Sequence, residues 1–189
     1  MNSTVALEGL KKLYEICPNA FLISGTLLGC IRDKEFITWD TDMDFAVMFE
    51  DWSESMINKF ETSGFSILAN IFWNQPKYAN IISQEAVYKR AKVQLLYKQK
   101  DIRICLEVMC KGINEHRYSC SSERYGIFMI PEKLIEKRIK YPFYDTTVNI
   151  PEKYDDFLKF LYNDWTVPRI DFLFTSEHEE CRKRYHLDI

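Results

Sequence analysis

This chain has no apolar run long enough to span a bilayer, and residues 1–17 lack the apolar stretch of a secretory signal. A cytoplasmic protein is the expectation that follows. Glycine and proline are scarce, six of each among 189 residues, and neither gathers into a Gly/Ser-rich or Pro-rich stretch, so no flexible linker is expected. No internal repeat or low-complexity segment is visible. Nearly half of the chain is apolar (47%), enough for a sizeable core, and a single domain over residues 1–189 is expected. An excess of one charge sign is missing too: the net charge of −3 comes from interspersed acids and bases. That balance gives no electrostatic reason for nucleic-acid binding, and no nucleic-acid partner is expected. The basic clusters Lys89-Arg90-Lys92, Lys137-Arg138-Lys140 and Arg182-Lys183-Arg184 read as solvated faces, although one of them would suit a phosphate-rich cleft.

The six cysteines, Cys17, Cys30, Cys105, Cys110, Cys120 and Cys181, lack paired spacing. Without a secretory signal they read as free thiols in a reducing compartment. A zinc site gathering Cys105, Cys110, His116 and Cys120 is disfavoured, because no Cys-x-x-Cys pair is present.

What the chain does contain is concentrated in residues 21–45. An apolar stretch, Phe21-Leu22-Ile23, runs into a small-residue turn, Ser24-Gly25-Thr26, and three carboxylates follow at alternate positions, Asp40, Asp42 and Asp44. Side chains of a strand alternate, so Asp42 and Asp44 share a face while Met43, Phe45, Val47 and Phe49 point into a core. Paired anions on an otherwise apolar strand repel each other, and burial raises the cost. A hard divalent cation, Mg2+ or Mn2+, is the natural compensation, with oxygen ligands and a bridge to substrate phosphates. An isolated Asp-x-Asp usually marks a turn or a solvated edge. Here it opens an apolar alternation where turn chemistry is out of place, and it reads as a phosphoryl- or nucleotidyl-transfer site. The turn before it starts a short helix over residues 25–32, whose free N–H groups and positive dipole end suit a phosphate. Gly25 allows close approach of the backbone to that phosphate, and the Ser24 and Thr26 hydroxyls are extra donors.

Elsewhere the pattern alternates helix and strand signals. Residues 4–16 carry Val5, Leu7, Leu10, Leu13 and Tyr14 at helical spacing, with Ser3 or Thr4 as cap. Residues 53–62 predict a helix closed by Gly64, and Pro151 opens another with Tyr154, Phe157, Leu158 and Leu161 on one face. Strands are predicted at 20–23, 42–49, 65–69, 91–98, 101–109, 125–130, 139–143 and 147–150, with a tight turn at Gln99-Lys100. Residues 71–85 are ambiguous and the last twenty show no pattern. In the strand through residues 102–108, Ile102, Ile104, Leu106 and Val108 face one side, and Arg103, Cys105 and Glu107 the other. A mid-strand acid among buried neighbours is an unusual structural group. Glu107 fits a third carboxylate, a metal ligand or the base for an attacking hydroxyl, on a strand beside that of Asp42 and Asp44. The alternative is an ion pair with Arg103. His116, His178 and His186 lack partners at ligand or triad spacing.

Gly25-Thr26-Leu27-Leu28-Gly29, Arg32, Phe36-Ile37 and Trp39-Asp40-x-Asp42-x-Asp44 together resemble the core motif of the LicD and fukutin-related family. A weaker echo lies in Ile150-Pro151-Glu152-Lys153-Tyr154 and Tyr162-Asn163-Asp164-Trp165. The resemblance implies an α/β (α+β) fold, a nucleotidyltransferase-like mixed β-sheet flanked by helices. It also implies a transferase that moves a phosphorylated alcohol, such as phosphocholine or a polyol phosphate, from a CDP-linked donor to a glycan or other hydroxyl acceptor. A lipid-linked glycan acceptor would bring the protein to a membrane surface. The chain departs from the family at Asp33-Lys34-Glu35, where His-Lys-Gly is frequent, at Thr41, where Asp is frequent, and at Glu107, where Asp is more usual. The first two changes leave Asp42 and Asp44 in place and bear on the donor and acceptor.

On this reading Asp42, Asp44 and Glu107 are catalytic, Asp42, Asp44 and Asp40 hold the metal, and Ser24, Gly25, Thr26 and Arg32 bind substrate phosphates. The planar fork of Arg32 suits a pyrophosphate; its alternative is an ion pair with Asp33 or Glu35. Trp39 reads as core packing, with a nucleobase stack as the alternative. Two other functions share the same residues: a nucleotidyltransferase moving NMP from an NTP to a small molecule or protein, and a catalytically silent binding module.

Overall fold

The alternating apolar strands assemble into a mixed sheet in the computed structural model, which describes residues 1–72, 82, 89–98, 102–112, 115–122 and 126–168. Five strands are ordered β1 (Phe21–Leu22), β2 (Asp42–Met48), β5 (Ile102–Lys111), β4 (Arg90–Tyr97) and β3 (Phe65–Phe72). β2 and β5 run parallel, and the other neighbours in this order antiparallel. The far end of β5 pairs with β6 (His116–Ser122), which pairs in turn with β7 (Gly126–Pro131). β6 has no counterpart among the predicted strands. Its sequence, His-Arg-Tyr-Ser-Cys-Ser-Ser, carries little apolar alternation, and its strand conformation comes from pairing with two neighbours. A separate antiparallel pair is formed by β8 (Arg138–Phe143) and β9 (Thr146–Pro151). The predicted turn at Gln99-Lys100, the ambiguous stretch at 71–85 beyond Phe72 (Ile82 apart) and the tail from residue 169 lie outside the described residues.

One face of the sheet carries the core. Met43, Phe45 and Val47 of β2, Ile104, Leu106 and Val108 of β5, and Val93 and Leu95 of β4 are fully buried. Helix α1 (Ser3–Ile16) lies against them: Tyr14 meets Phe45 edge-on, and a Cβ added at Gly9 would come within 3.1 Å of the Tyr97 ring. The cap of α1 is Asn2, whose side chain accepts the N–H groups of Thr4 and Val5 at 3.1 and 3.2 Å. The helix therefore starts at Ser3, with the cap one residue earlier than the sequence suggested. Phe60 of α3 (Ser55–Thr62) packs edge-on against Phe65, which contacts Tyr97. Helix α4 (Tyr154–Tyr162) buries Phe157 and Leu158, and Pro151 ends β9 instead of opening that helix.

Asn149 of β9 ties the hairpin to the chain just before the site. Its amide donates to the carbonyls of Pro18 and Ala20 at 2.8 and 2.7 Å, and its backbone N–H donates to the Tyr14 hydroxyl at 3.0 Å. No helix among the described residues is long and apolar enough to cross a membrane.

Candidate active site

The polar face of the sheet is built from the same alternation that buries the opposite one. In register, Asp44 stands across from Cys105 and Cys105 across from Gln94; one step along, Ala46, Glu107 and Lys92 form the next row. Asp42 sits two residues before Asp44 on the same face. These rows floor a cleft of ≈450 Å³, whose walls include Ser24, Gly25, Arg32, Trp39, Asp40 and Tyr162.

The Ser-Gly-Thr turn enters this cleft at the start of α2 (Ser24–Leu28), which continues as a wider π-helical turn over Gly29–Asp33. Ser24 sits at the junction with φ +48°, a left-handed conformation unusual for a residue with a side chain. Thr26 is buried, 2% exposed, and its Oγ1 accepts the Asp44 backbone N–H at 2.8 Å. That hydroxyl pins β2 to α2, and Thr26 is not among the residues that line the cleft. Gly25 has a corresponding reason: a Cβ there would lie 2.5 Å from Asp40 Oδ2. The absent side chain makes room for a carboxylate.

Three aspartates thus crowd one end of the cleft, and the electrostatics register it. Burial, then the charge of Asp42, pushes the Asp40 carboxyl up to about 6. Burial, then Asp42, Glu107 and Asp40, holds the Asp44 carboxyl well above the usual carboxylate range, against the pull of Lys92. The Tyr162 hydroxyl is raised in the same way, first by burial and then by Asp44 and Asp40, and it is hydrogen-bonded to Ser24.

Glu107 faces the same cleft, but its partner is not Arg103, which is exposed. Lys92 donates to Glu107 Oε1 at 3.4 Å, with side chains only 8% and 12% exposed. Burial pulls the Lys92 ammonium down, but the negative charge of Glu107, followed by Cys105 and Asp44, outweighs it and keeps Lys92 charged. A buried cation therefore stands in an acidic cleft. The sequence placed Lys92 in a solvated basic cluster; its neighbour Arg90 is buried as well, paired with Glu54 at 2.9 Å.

Arg32 forms the ion pair that was its alternative reading. It grips Asp33 through two hydrogen bonds of 2.7 and 2.8 Å, and it lines the cleft. Trp39 is not core packing: it is 53% exposed on the wall of the cleft. It lies in the connection between the π-turn and β2, where no apolar layer covers it.

The ligand atoms of Asp42, Asp44 and Cys105 lie within 4.8 Å of one another, and Cys105 Sγ donates to Asp42 Oδ2 at 3.4 Å. This set fits a divalent ion, in spacing and in a carboxylate charge at Asp44 that Lys92 only partly offsets. Asp40 and Glu107 line the cleft outside it. No grouping of Cys105, Cys110 and His116 occurs among the described residues: Cys110 is buried beside Tyr118 and Ile82, and the Cys120 side chain lies outside them.

Sequence reasoning missed Lys92, Gln94, Cys105 as a partner of the aspartates, and Tyr162. A signal existed for the first two, because they alternate with the buried Ala91, Val93 and Leu95 and give β4 a polar face. Tyr162, Asp164 and Trp165 reach the cleft from the end of α4 onwards, with Trp165 Nε1 donating to Asp155 at 3.2 Å. The family model for the LicD/FKTN/FKRP nucleotidyltransferase domain matches residues 19–153. No curated protein matches the chain.

Proposed function

This chain belongs to the LicD/FKTN/FKRP nucleotidyltransferase-domain family, and from that premise we propose that it is a metal-dependent transferase. It would move a phosphorylated alcohol, phosphocholine or a polyol phosphate, from a CDP-linked donor to a hydroxyl of a glycan. Members of the family are generally transferases; the donor and acceptor class are the proposal. One observation carries it: the carboxylates of Asp42 and Asp44 stand together in an open cleft, with a repulsion that Lys92 only partly offsets.

Asp42 and Asp44 would hold the divalent cation, with Asp40 in support. When bound, such an ion polarises a phosphoryl oxygen and neutralises the charge that develops on it. The protein's own groups set the geometry. Thr26 holds Asp44 in place through its backbone N–H. Ser24 and Gly25 would lie against the donor's phosphates, with Arg32 beside them. Glu107 is assigned to the acceptor, where its carboxylate would take the hydroxyl proton as attack begins. Lys92 keeps that carboxylate in position and adds a fixed positive charge to a site where anions must gather.

The test is incubation with a panel of CDP-alcohols and NTPs in the presence of divalent cation, with the leaving group identified. Release of CMP that needs Asp44 is expected. Release of pyrophosphate from an NTP would replace this reading with nucleotidyl transfer. Nucleotide binding without turnover would leave a silent binding module.

A further inference from the structure

Resting on the metal reading of the cleft, we infer that Cys105 is a ligand of the bound ion, so that this site favours a borderline, thiophilic cation such as zinc over magnesium. The argument begins with register. The parallel pairing of β2 and β5 sets Cys105, not Glu107, directly across from Asp44. Glu107 lies one row farther, across from Ala46, with Lys92 beside it.

Distance supports the same assignment. Two atoms bound to one zinc ion, with Zn–S about 2.3 Å and Zn–O about 2.1 Å, can be no farther apart than roughly 4.4 Å and meet near 3.4 Å at an angle of about 100°. Cys105 Sγ lies 3.4 Å from Asp42 Oδ2, and all three ligand atoms fall within 4.8 Å of one another. Small side-chain rotations would close the set without moving the strands.

Burial, then the charges of Asp44 and Asp42, pushes the Cys105 thiol up against the pull of Lys92, so the ion itself has to displace the thiol proton. Gln94 Nε2 is directed at the sulfur at 3.9 Å from the next strand. Binding would form a metal–sulfur bond and break the S–H bond, with the proton released to solvent. Two carboxylates alone suit magnesium or manganese, and a thiolate added to them shifts the preference towards zinc and cobalt.

Cobalt(II) is the probe, because a bound thiolate gives it a sulfur-to-cobalt charge-transfer band in the near ultraviolet. Every protein compared carries Cys120→Ser and Cys181→Ser. The expected result is a band on cobalt addition that disappears in Cys105→Ser and Cys105→Ala, while equilibrium dialysis still finds cobalt bound. Zinc should bind the parent at least roughly tenfold more tightly than it binds either variant, with magnesium affinity little changed. Cobalt bound without the band, or a band that survives in both variants, overturns the role of Cys105 and leaves the carboxylate site standing. Failure of the parent to bind magnesium, zinc or cobalt overturns the metal reading itself.

Discussion

Asp44 shows how a single residue can be costly to the fold and necessary to the site. Its carboxylate faces Asp42, Asp40 and Glu107 with Lys92 as the opposing charge. The contact that fixes β2 is made by the backbone N–H, so it survives a change of side chain. Asp44→Asn should therefore melt at or above the parent in metal-free buffer while transfer falls by at least roughly 100-fold. Thermal unfolding with and without chelator checks it; a drop of several degrees in chelator would assign Asp44 a structural role. Lys92 should behave in the opposite way. Lys92→Met leaves Glu107 and Asp44 without their buried counter-charge, and a loss of about 3 kcal/mol is expected. Adding Glu107→Gln should recover much of that loss. Urea unfolding of the single and double variants measures the coupling, and independent, additive effects would mean the pair is not coupled.

Elements differ in how they are attached. β2, β5 and β4 are held by ladders and by the core beneath them, whereas among the described residues β6 pairs with β5 only at Cys110 and Lys111. Arg117 compensates. Buried among polar partners, it donates to both oxygens of Glu50 at 2.7 and 2.9 Å and to Glu132 at 2.8 and 3.0 Å. It clamps the β6–β7 ribbon to the turn that follows β2. Arg117→Met should loosen that ribbon locally, because Glu50 loses its cation and Glu132 keeps only Lys111, at 3.7 Å. Hydrogen exchange is the measurement: protection should fall in β6 and β7 and persist in β2 and β5. Uniform loss across the sheet would show that the clamp supports the whole fold.

At the scale of the whole molecule, crowded carboxylates link stability, protons and metal. Asp40, raised to about 6, and Asp44, raised well above its ordinary value, bind protons more tightly folded than unfolded. The folded state then holds more protons between the unfolded value near 3.8 and the folded ones, and stability falls as pH rises through that window. Metal-free protein should melt higher at pH 5.5 than at pH 7.5, and Asp44→Asn should narrow the difference. A divalent cation competes with those protons, so the stabilisation it confers should be larger at pH 7.5. Glu8, Asp145 and Asp155, whose carboxyls are lowered by Lys98, Lys11 and Lys159, lose their contribution as pH falls through those lowered values, below both pH values compared. Calorimetry at the two pH values, with and without cation, checks the sign. A melting temperature that rises from pH 5.5 to 7.5 without metal would contradict it.

Local periodicity alone determined much of this protein. A period of two places Asp42 with Asp44 and Cys105 with Glu107, and puts Met43, Phe45, Ile104 and Leu106 in the core, whatever lies next to either strand. The amphipathic spacing of α1 and α4 was legible for the same reason. Strand order and register were decided only by tertiary structure, because they answer to burial between segments far apart in the chain. That is why Cys105 faces Asp44, why Lys92 meets Glu107 and leaves the solvent, and why Tyr162 closes on Ser24 from the far end of the fold. The roles of Thr26 and Gly25 were hidden likewise: one hydroxyl was claimed by a backbone N–H eighteen residues on, and one missing Cβ was needed by a carboxylate that the chain returns to the same spot.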